Sequence, residues 1–319
     1  MLETTQTTAD RPPGAASQLS GRARTRAAIA GALPADHAAR AVAVVERLGD
    51  ELDGYAELIA GPDDRVAGFL TRGEGAGFAE RARIAFAELG LDAAAGDHHA
   101  ALSAWFEHRR GFVKFEWARA PSGWAPAVAC YFRRRPAVAD ALARLAELGV
   151  GPRSRTRIEA LAGILDKRTV HFVSAAFRPG QPPAHKLYFS QLAAAGAREA
   201  VAARIERVFD LFEIDGPARE SWRALHEPML GPGEPTAFVS TSATGDAPSP
   251  SFKLDYAGVP AVAAARWSPP GDRPARLREI ERLCSRAGAA MLSFLGVRFA
   301  PGEAAPAIKY YADVPRSSP

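Results

Sequence analysis

The sequence predicts an α+β fold, namely a closed ten-stranded antiparallel β-barrel with a solvent-filled lumen, surrounded by a ring of helices. Five segments alternate apolar and polar residues on either side of a turn, so each predicts a β-hairpin. These hairpins begin at residues 55, 111, 169, 236 and 291, and such regular spacing indicates five ββα repeats. Ten strands in an open sheet would leave two unpaired edges, which closure into a barrel removes.

The predicted hairpins turn at residues that favour chain reversal, chiefly glycine, proline and aspartate. In chain order the turns are Gly-Pro-Asp-Asp, Pro-Ser-Gly, Pro-Gly-Gln-Pro-Pro, Thr-Gly-Asp and Pro-Gly-Glu. The hairpins span residues 55–72, 111–134, 169–192, 236–259 and 291–314.

The segments between the hairpins carry apolar residues at helical spacing. A first helix precedes the barrel, from Pro34 to about Asp53, and an extra helix after Pro217 lengthens the third interval. Two helices end on nearly the same phrase, Ala-Glu-Leu-Gly followed by an apolar residue, at 87–91 and 146–150. That phrase is typical of a helix C-terminus with glycine in the left-handed conformation.

Composition narrows the functional classes. The chain has 319 residues, of which 24% are charged and 47% hydrophobic, and its formal charge is +4. These values predict a folded protein with no nucleic-acid partner. Cys130 and Cys284 suit neither a disulfide framework nor a metal site, and no apolar run approaches the about 18 residues of a membrane span. We expect a cytoplasmic protein without a membrane partner, with a disordered leader over residues 1–20 and a single barrel domain over 21–315.

Strand alternation predicts which faces line the lumen. Amphipathic helices need an apolar partner, so the apolar strand faces should point outward and the polar faces inward. A barrel of ten strands is wide enough to keep an internal chamber, and a polar lining predicts that this chamber binds a ligand. The polar positions on the second to fifth hairpins are Lys114, Glu116, Lys186, Tyr188, Lys253, Asp255, Lys309 and Tyr311.

Three segments carry a resemblance to a known family. They are His185-Lys-Leu-Tyr-Phe-Ser-Gln-Leu192, the first hairpin with Glu57 and Arg65, and Ile308-Lys-Tyr-Tyr-Ala312. Together with the five-fold repeat over residues 35–315, they resemble the soluble aromatic prenyltransferases of the αββα (ABBA, or PT-barrel) fold. The similarity extends to the bacterial phenol and indole branches and to the cyanobactin-peptide branch.

The resemblance implies an alkyl transferase of natural product biosynthesis, including that of ribosomally made peptides. It would move a dimethylallyl or longer prenyl group from a prenyl diphosphate to an electron-rich acceptor, which is an indole or tryptophan, a phenol or a peptide side chain. It also implies that Glu57 or Glu116 accepts a proton from the acceptor. The implied diphosphate ligands are Arg65, Arg133, Lys186, Lys253 and Lys309. The implied shields of the allylic cation are Tyr131, Tyr188 and Tyr311.

Several alternatives stay open at this level. The chain lacks a DDxxD motif, so we expect no protein metal site and no tightly bound cofactor, although Mg²⁺ can accompany the diphosphate. Asp255 either pairs with Lys253 or binds a metal, and Glu116 either acts in catalysis or pairs with Lys114 or Arg133. The alternative function is a non-catalytic barrel that binds an anionic or hydrophobic small molecule.

Overall fold

Ten antiparallel strands close into a barrel, as the hairpin count predicts. The structure, a computed structural model, describes residues 19–49, 51–61, 66–91, 93–105, 111–120, 123–132, 135–192, 198–229 and 236–314. Each strand pairs with the next along the chain, and β1 pairs with β10 to close the ring. The strands are β1 (Ala56–Ala60), β2 (Val66–Gly73), β3 (Gly111–Ala120), β4 (Gly123–Phe132), β5 (Phe172–Arg178), β6 (Gln181–Leu192), β7 (Thr236–Thr244), β8 (Ala247–Val259), β9 (Leu292–Phe299) and β10 (Ala307–Val314).

Helices surround the barrel and cover its outer face. Four of them, α1 (Gly21–Ala30), α5 (Ala93–Trp105), α7 (Pro152–Ile164) and the short α10 (Ala261–Ala264), were not predicted individually. α1 begins where the Ser20 side chain accepts a hydrogen bond from the Ala23 amide, and it buries Ile29 against the core. The helices are α1 (Gly21–Ala30), α2 (Ala35–Leu48), α3 (Glu51–Gly54), α4 (Gly75–Leu89), α5 (Ala93–Trp105), α6 (Val138–Glu147), α7 (Pro152–Ile164), α8 (Arg198–Leu211), α9 (Pro217–Met229), α10 (Ala261–Ala264) and α11 (Arg273–Ala287).

The repeated Ala-Glu-Leu-Gly phrase ends two helices in the predicted way. Gly90 and Gly149 have positive φ values of 66° and 85°. The Leu91 amide donates to the Phe86 carbonyl at 3.0 Å, and the Val150 amide to the Leu145 carbonyl at 2.9 Å. Only glycine adopts this left-handed conformation without strain, which is why both helices stop there.

The main hydrophobic core lies between the barrel and the helices. The outward residues of β3 and β6, such as Phe115 and Leu187, belong to it, and so does Cys130 on β4. A second, smaller apolar cluster with Ile59, Leu70 and Tyr311 lies inside the barrel. The predicted assignment of apolar faces to the outside is therefore confirmed.

Only part of the predicted boundary between leader and barrel domain falls within the described residues. α1 begins at Gly21, and the preceding Ser20 already caps it. Residues 1–18 lie outside the described residues, so the disordered leader stays a prediction.

Candidate functional site

An arc of five aromatic rings lines one end of the lumen. Each hairpin contributes one ring at the start of its first strand, so the barrel's repeat places all five at the same end. Successive ring centroids lie 5.8, 6.1, 5.9 and 6.2 Å apart. They line a chamber of about 290 Å³ that also reaches Glu57, Lys253 and Asp255. In order, the rings of the arc are Tyr55, Phe112, Phe172, Phe238 and Phe294.

Four lysines point into the same lumen. The chain contains only five lysines, and since lysine and arginine together number 40, the other 35 basic residues are arginines. Lysine is therefore used almost only inside the barrel, and Lys167 is the exception. The charge on Lys186 is disfavoured by the charges of the other three, which places all four ammonium groups near one another. These lumen lysines are Lys114, Lys186, Lys253 and Lys309.

Glu116 lies between two of the lysines. Lys114 donates to Glu116 Oε2 at 2.6 Å, and Lys309 contacts Oε1. β1 and β2 separate the strands of Glu116 and Lys309, so this contact spans the inside of the barrel. Burial would raise the pKa of Glu116, but the two ammonium groups outweigh it and hold that pKa well below its usual range. Burial and the charge of Lys114 lower the pKa of Lys309 to about 8.

Lys253 contacts both Asp255 and Tyr311, and Gly296 lies on the strand between them. Its ammonium forms an ion pair with Asp255 Oδ1 and donates to the Tyr311 hydroxyl at 3.1 Å. Gly296 lies on β9 between their strands, and a Cβ there would collide with the Lys253 side chain and come within 2.8 Å of Asp255 Oδ1. Bare backbone at Gly296 therefore makes room for the pair. Asp255 is 7% exposed, and its Oδ2 has no hydrogen-bond partner in the described part of the chain.

Lys186 differs from the other three lysines. It makes no hydrogen bond or ion pair with any described residue, and its ammonium lies 5.3 Å from the centroid of the Tyr188 ring. Burial, followed by the charge of Lys253, holds the pKa of Lys186 well below its ordinary value. The ring of Tyr131 packs 5.8 Å from that of Tyr188. An amine with no counter-ion beside two ring faces is suited to receive an anion, which in turn favours its protonated form.

A carboxyl cluster lies at the aromatic end of the chamber. Glu57 is 3% exposed and accepts a hydrogen bond from Ser293 Oγ at 2.6 Å. It lies opposite Asp313 in the β1–β10 register, and Tyr55 donates to Asp313 at 3.4 Å. Burial, reinforced by Asp313, raises the pKa of Glu57 to about 8. A carboxyl with that pKa exchanges protons near neutral pH.

The structure brings most of the predicted site residues together. Glu57, Glu116, the three predicted lysines and the three predicted tyrosines all lie on lumen-facing positions. Arg65 and Arg133 lie outside the described residues, so their diphosphate contacts stay predictions. Glu116 pairs with Lys114, one of the alternatives left open, and Asp255 pairs with Lys253.

Sequence reasoning placed Lys114 on the lumen face without giving it a role in the site, and it did not find the aromatic arc. The scarcity of lysine was one available signal, because Lys114 is one of only five. The arc had a repeat signal as well, an aromatic residue at the start of each first strand. Ser293 and Asp313 had no such signal, since their roles depend on closure between β1 and β10.

Within the described ranges, no group of three or more His, Cys, Asp or Glu side chains is arranged to hold a metal ion. No helix in these ranges combines the length and apolar character needed to cross a bilayer.

Comparison with known proteins gives a structural match without a sequence match. No protein-family model and no curated protein matches the chain. The solved structure of PriB, in binary complex with product diphosphate, matches with a TM-score of 0.55 at 16% identity, covering 93% of this chain and 95% of that one. The chain has the fold of the ABBA-type aromatic prenyltransferases.

Two further structures with this prenyltransferase fold match over nearly their whole length. 6-Dimethylallyltryptophan synthase from Micromonospora olivasterospora, in complex with DMASPP and Trp, has a TM-score of 0.58 at 14% identity, covering 92% of this chain and 97% of that one. 5-Dimethylallyltryptophan synthase from Streptomyces coelicolor has a TM-score of 0.52 at 14% identity, covering 94% and 97%. At these identities the likeness establishes the barrel fold.

Proposed function

We propose that this protein is a prenyltransferase, which moves a prenyl group from a prenyl diphosphate to an electron-rich aromatic acceptor inside the barrel. One observation carries the proposal, the convergence of four lysines in the lumen, where Lys253 reaches a chamber lined mainly by aromatic rings. Glu116 and Asp255 pair with three of the lysines, so the cluster keeps a positive excess. Such a chamber suits a ligand with an anionic head and an apolar tail.

The lysines are assigned to the diphosphate. The C1–O bond of the donor breaks, the bonding pair leaves with diphosphate, and the carbon becomes an allylic cation. Fixed ammonium groups in a water-poor chamber stabilise the charge that develops on the leaving oxygen. We assign Lys186, Lys253 and Lys309 to this task. We add Lys114 to the group, and it also holds Glu116 in place. Lys186 is the first contact, because it has no counter-ion to displace.

The tyrosines are assigned to the allylic cation. The faces of Tyr188 and Tyr311 lie 5.3 and 4.9 Å from the ammonium groups of Lys186 and Lys253, so a cation formed beside the diphosphate meets ring faces. The negative face of an aromatic ring attracts a cation. Tyr131 extends this wall toward the aromatic arc. Rings that fill the wall also exclude the water that would quench the cation.

Glu57 is assigned as the acceptor's base. The acceptor ring forms a C–C bond to the cation, and a proton must then leave the acceptor. Glu57 lines the chamber at its aromatic end, and its pKa of about 8 suits proton transfer near neutral pH. Glu116 is held as an anion by two lysines, so we assign it to positioning them.

The molecules bound in a matched structure guide the choice of donor and acceptor. PriB is crystallised with L-tryptophan and dimethylallyl thiolodiphosphate, so we propose a dimethylallyl donor and an indole acceptor first, with phenols, peptides and longer donors tested beside them. Any Mg²⁺ would enter as the counter-ion of the diphosphate.

The proposed compartment is the cytoplasm. Two free, buried cysteines, Cys130 and Cys284, fit its reducing environment. We further propose that the protein acts in natural product biosynthesis. Residues 21–315 would form its single domain.

The test is turnover by the full chain. Dimethylallyl and geranyl diphosphate are each incubated with L-tryptophan, a naphthol and a tryptophan-containing peptide, with and without EDTA. We expect diphosphate release together with an acceptor that has gained one prenyl group and lost one proton. Diphosphate binding with no turnover of any pair would favour the non-catalytic barrel and refute the enzyme.

A further inference from the structure

Water reaches the lumen from the hairpin-turn end of the barrel, opposite the aromatic end. On β10 the lumen-facing residues, in order from the turn, are Ala307, Lys309 and Tyr311. Ala307 is exposed, the Lys309 side chain is 39% exposed, and Tyr311 is only 8% exposed. The outward residues between them, Ile308 and Tyr310, are buried in the core beneath the helices. The exposure on this strand therefore comes from inside the barrel, and it decreases with distance from the turn.

The lumen face of β7 changes in character between the two ends. After Phe238 of the aromatic arc it carries Ser240, Ser242 and Thr244, and Thr244 is the exposed last residue of the strand. Ser251, on the lumen face of β8, adds a further hydroxyl near the turn. Small hydroxyl side chains leave space and donate hydrogen bonds to an anion. The aromatic end therefore suits an apolar group, and the turn end suits an anion.

The lysines lie between these two ends. Lys186 lies opposite Ser242 in the β6–β7 register, and Lys253 lies opposite Ser240 in the β7–β8 register. Ser240 is fully buried, and its Oγ has no hydrogen-bond partner among the residues described. A buried hydroxyl left without a partner costs free energy. A diphosphate held by these lysines would accept the missing hydrogen bond.

The cations nearer the turn are already paired with carboxylates. Lys309 pairs with Glu116. Arg298, at the end of β9, donates to Glu303 Oε1 at 2.8 Å, and both of these side chains are partly exposed. Along this side of the lumen the uncompensated charge therefore belongs to the buried Lys186, and paired cations lie between it and the solvent. An anion can pass paired, hydrated groups without being held there.

We propose that the turn end of the lumen, between β7 and β10, is the exit for the diphosphate product. The inference rests on the proposed function. Once the new C–C bond has formed, the prenylated product fills the chamber of about 290 Å³ and separates the diphosphate from the aromatic end. The path past Ser242, Ser251 and Ala307 stays free. Until the reaction is complete, the bound diphosphate itself fills this path and keeps solvent from the chamber.

The test measures the exchange of inorganic diphosphate with the full chain by phosphorus NMR, which gives both affinity and dissociation rate. Ala307→Cys places a thiol at the exposed turn end, and a bulky maleimide then narrows the path in the folded protein. Cys130 and Cys284 are buried and should not react. Since the label lies on the path and not in the site, we expect it to slow association and dissociation about 10-fold each, with Kd unchanged. Unlabelled Ala307→Cys should exchange like the unmodified chain.

Met291→Cys with the same label is the matched control. Met291 is exposed and directly precedes β9 at the aromatic end, so this label should not change the exchange rate. The inference is overturned if the label on Ala307→Cys leaves exchange unchanged or weakens Kd, or if only the label on Met291→Cys slows exchange.

The two proposals fail in different ways. Slower exchange in labelled Ala307→Cys, in a protein that turns over no pair of donor and acceptor, would refute the reaction and leave the exit standing. Turnover combined with exchange that the label does not slow would refute the exit alone. A chain that binds no diphosphate would refute both.

Discussion

Glu57 and Asp313 lie opposite each other across the β1–β10 pair that closes the barrel. Their proximity, added to the burial of Glu57, raises the pKa of Glu57 to about 8, while the hydrogen bond from Ser293 opposes that rise. The two neighbours therefore move the same pKa in opposite directions, and each can be removed on its own.

The first prediction concerns the pH dependence of turnover. A base acts in its ionised form, so kcat/KM should rise as pH increases through about 8. Asp313→Asn removes a repulsion and should move the inflection to lower pH. Ser293→Ala removes a donor that favours the anion and should move it to higher pH. Initial rates across a pH series measure both, and an inflection that neither change moves would exclude Glu57 as the base.

The second prediction concerns Lys186. Burial and the charge of Lys253 lower its pKa, and a bound diphosphate would raise it, so binding should take up a proton in the pH range between the two pKa values, and a pH series locates that range. Calorimetry in two buffers of different ionisation enthalpy measures that uptake. Lys186→Met should abolish the uptake and lower kcat/KM about 100-fold.

The chain offers one matched control for Lys186→Met. Lys167 is the only lysine among the five that does not face the lumen. Lys167→Met should leave turnover and proton uptake unchanged. Equal losses from both variants would mean that the effect is not due to the chamber.

The third prediction concerns the ring of Tyr188. If it shields the allylic cation, Tyr188→Ala should let water capture more of the cation, and the ratio of prenyl alcohol to prenylated acceptor should rise. Tyr188→Phe keeps the ring face and should preserve the ratio. Chromatography of both products measures it. A similar increase in the two variants would assign the effect to the hydroxyl instead.

The fourth prediction separates two lumen glycines. A Cβ at Gly296 meets the flexible end of Lys253, whereas a Cβ at Gly68 meets the Phe115 carbonyl oxygen of the backbone. Gly296→Ala should displace Lys253 and raise the donor KM about 10-fold, with little change in Tm. Gly68→Ala should lower the unfolding free energy by about 1–3 kcal/mol. Thermal melts and donor titrations measure the two effects, and the reverse pattern would contradict the packing described.

The sequence determines the barrel and the two faces of its strands. Side chains alternate across a strand regardless of its neighbours, so Lys186 and Tyr188 share a face in any sheet, and five hairpins need closure to leave no edge. The same alternation predicts that Lys253, Lys309 and Tyr311 face the lumen, and the structure places them there. These features depend only on residues close together in the sequence, and the same pattern recurs in each of the five hairpins.

Only the tertiary structure decides how those groups interact. Glu116 meets Lys309 because the barrel brings β3 and β10 close across the lumen, and Lys253 reaches Tyr311 because Gly296 between them has no side chain. The raised pKa of Glu57 likewise needs burial and the closing strand. The strength of these interactions depends on the distances between strands and on the exclusion of water from the buried side chains. The alternation of residues along a single strand determines neither.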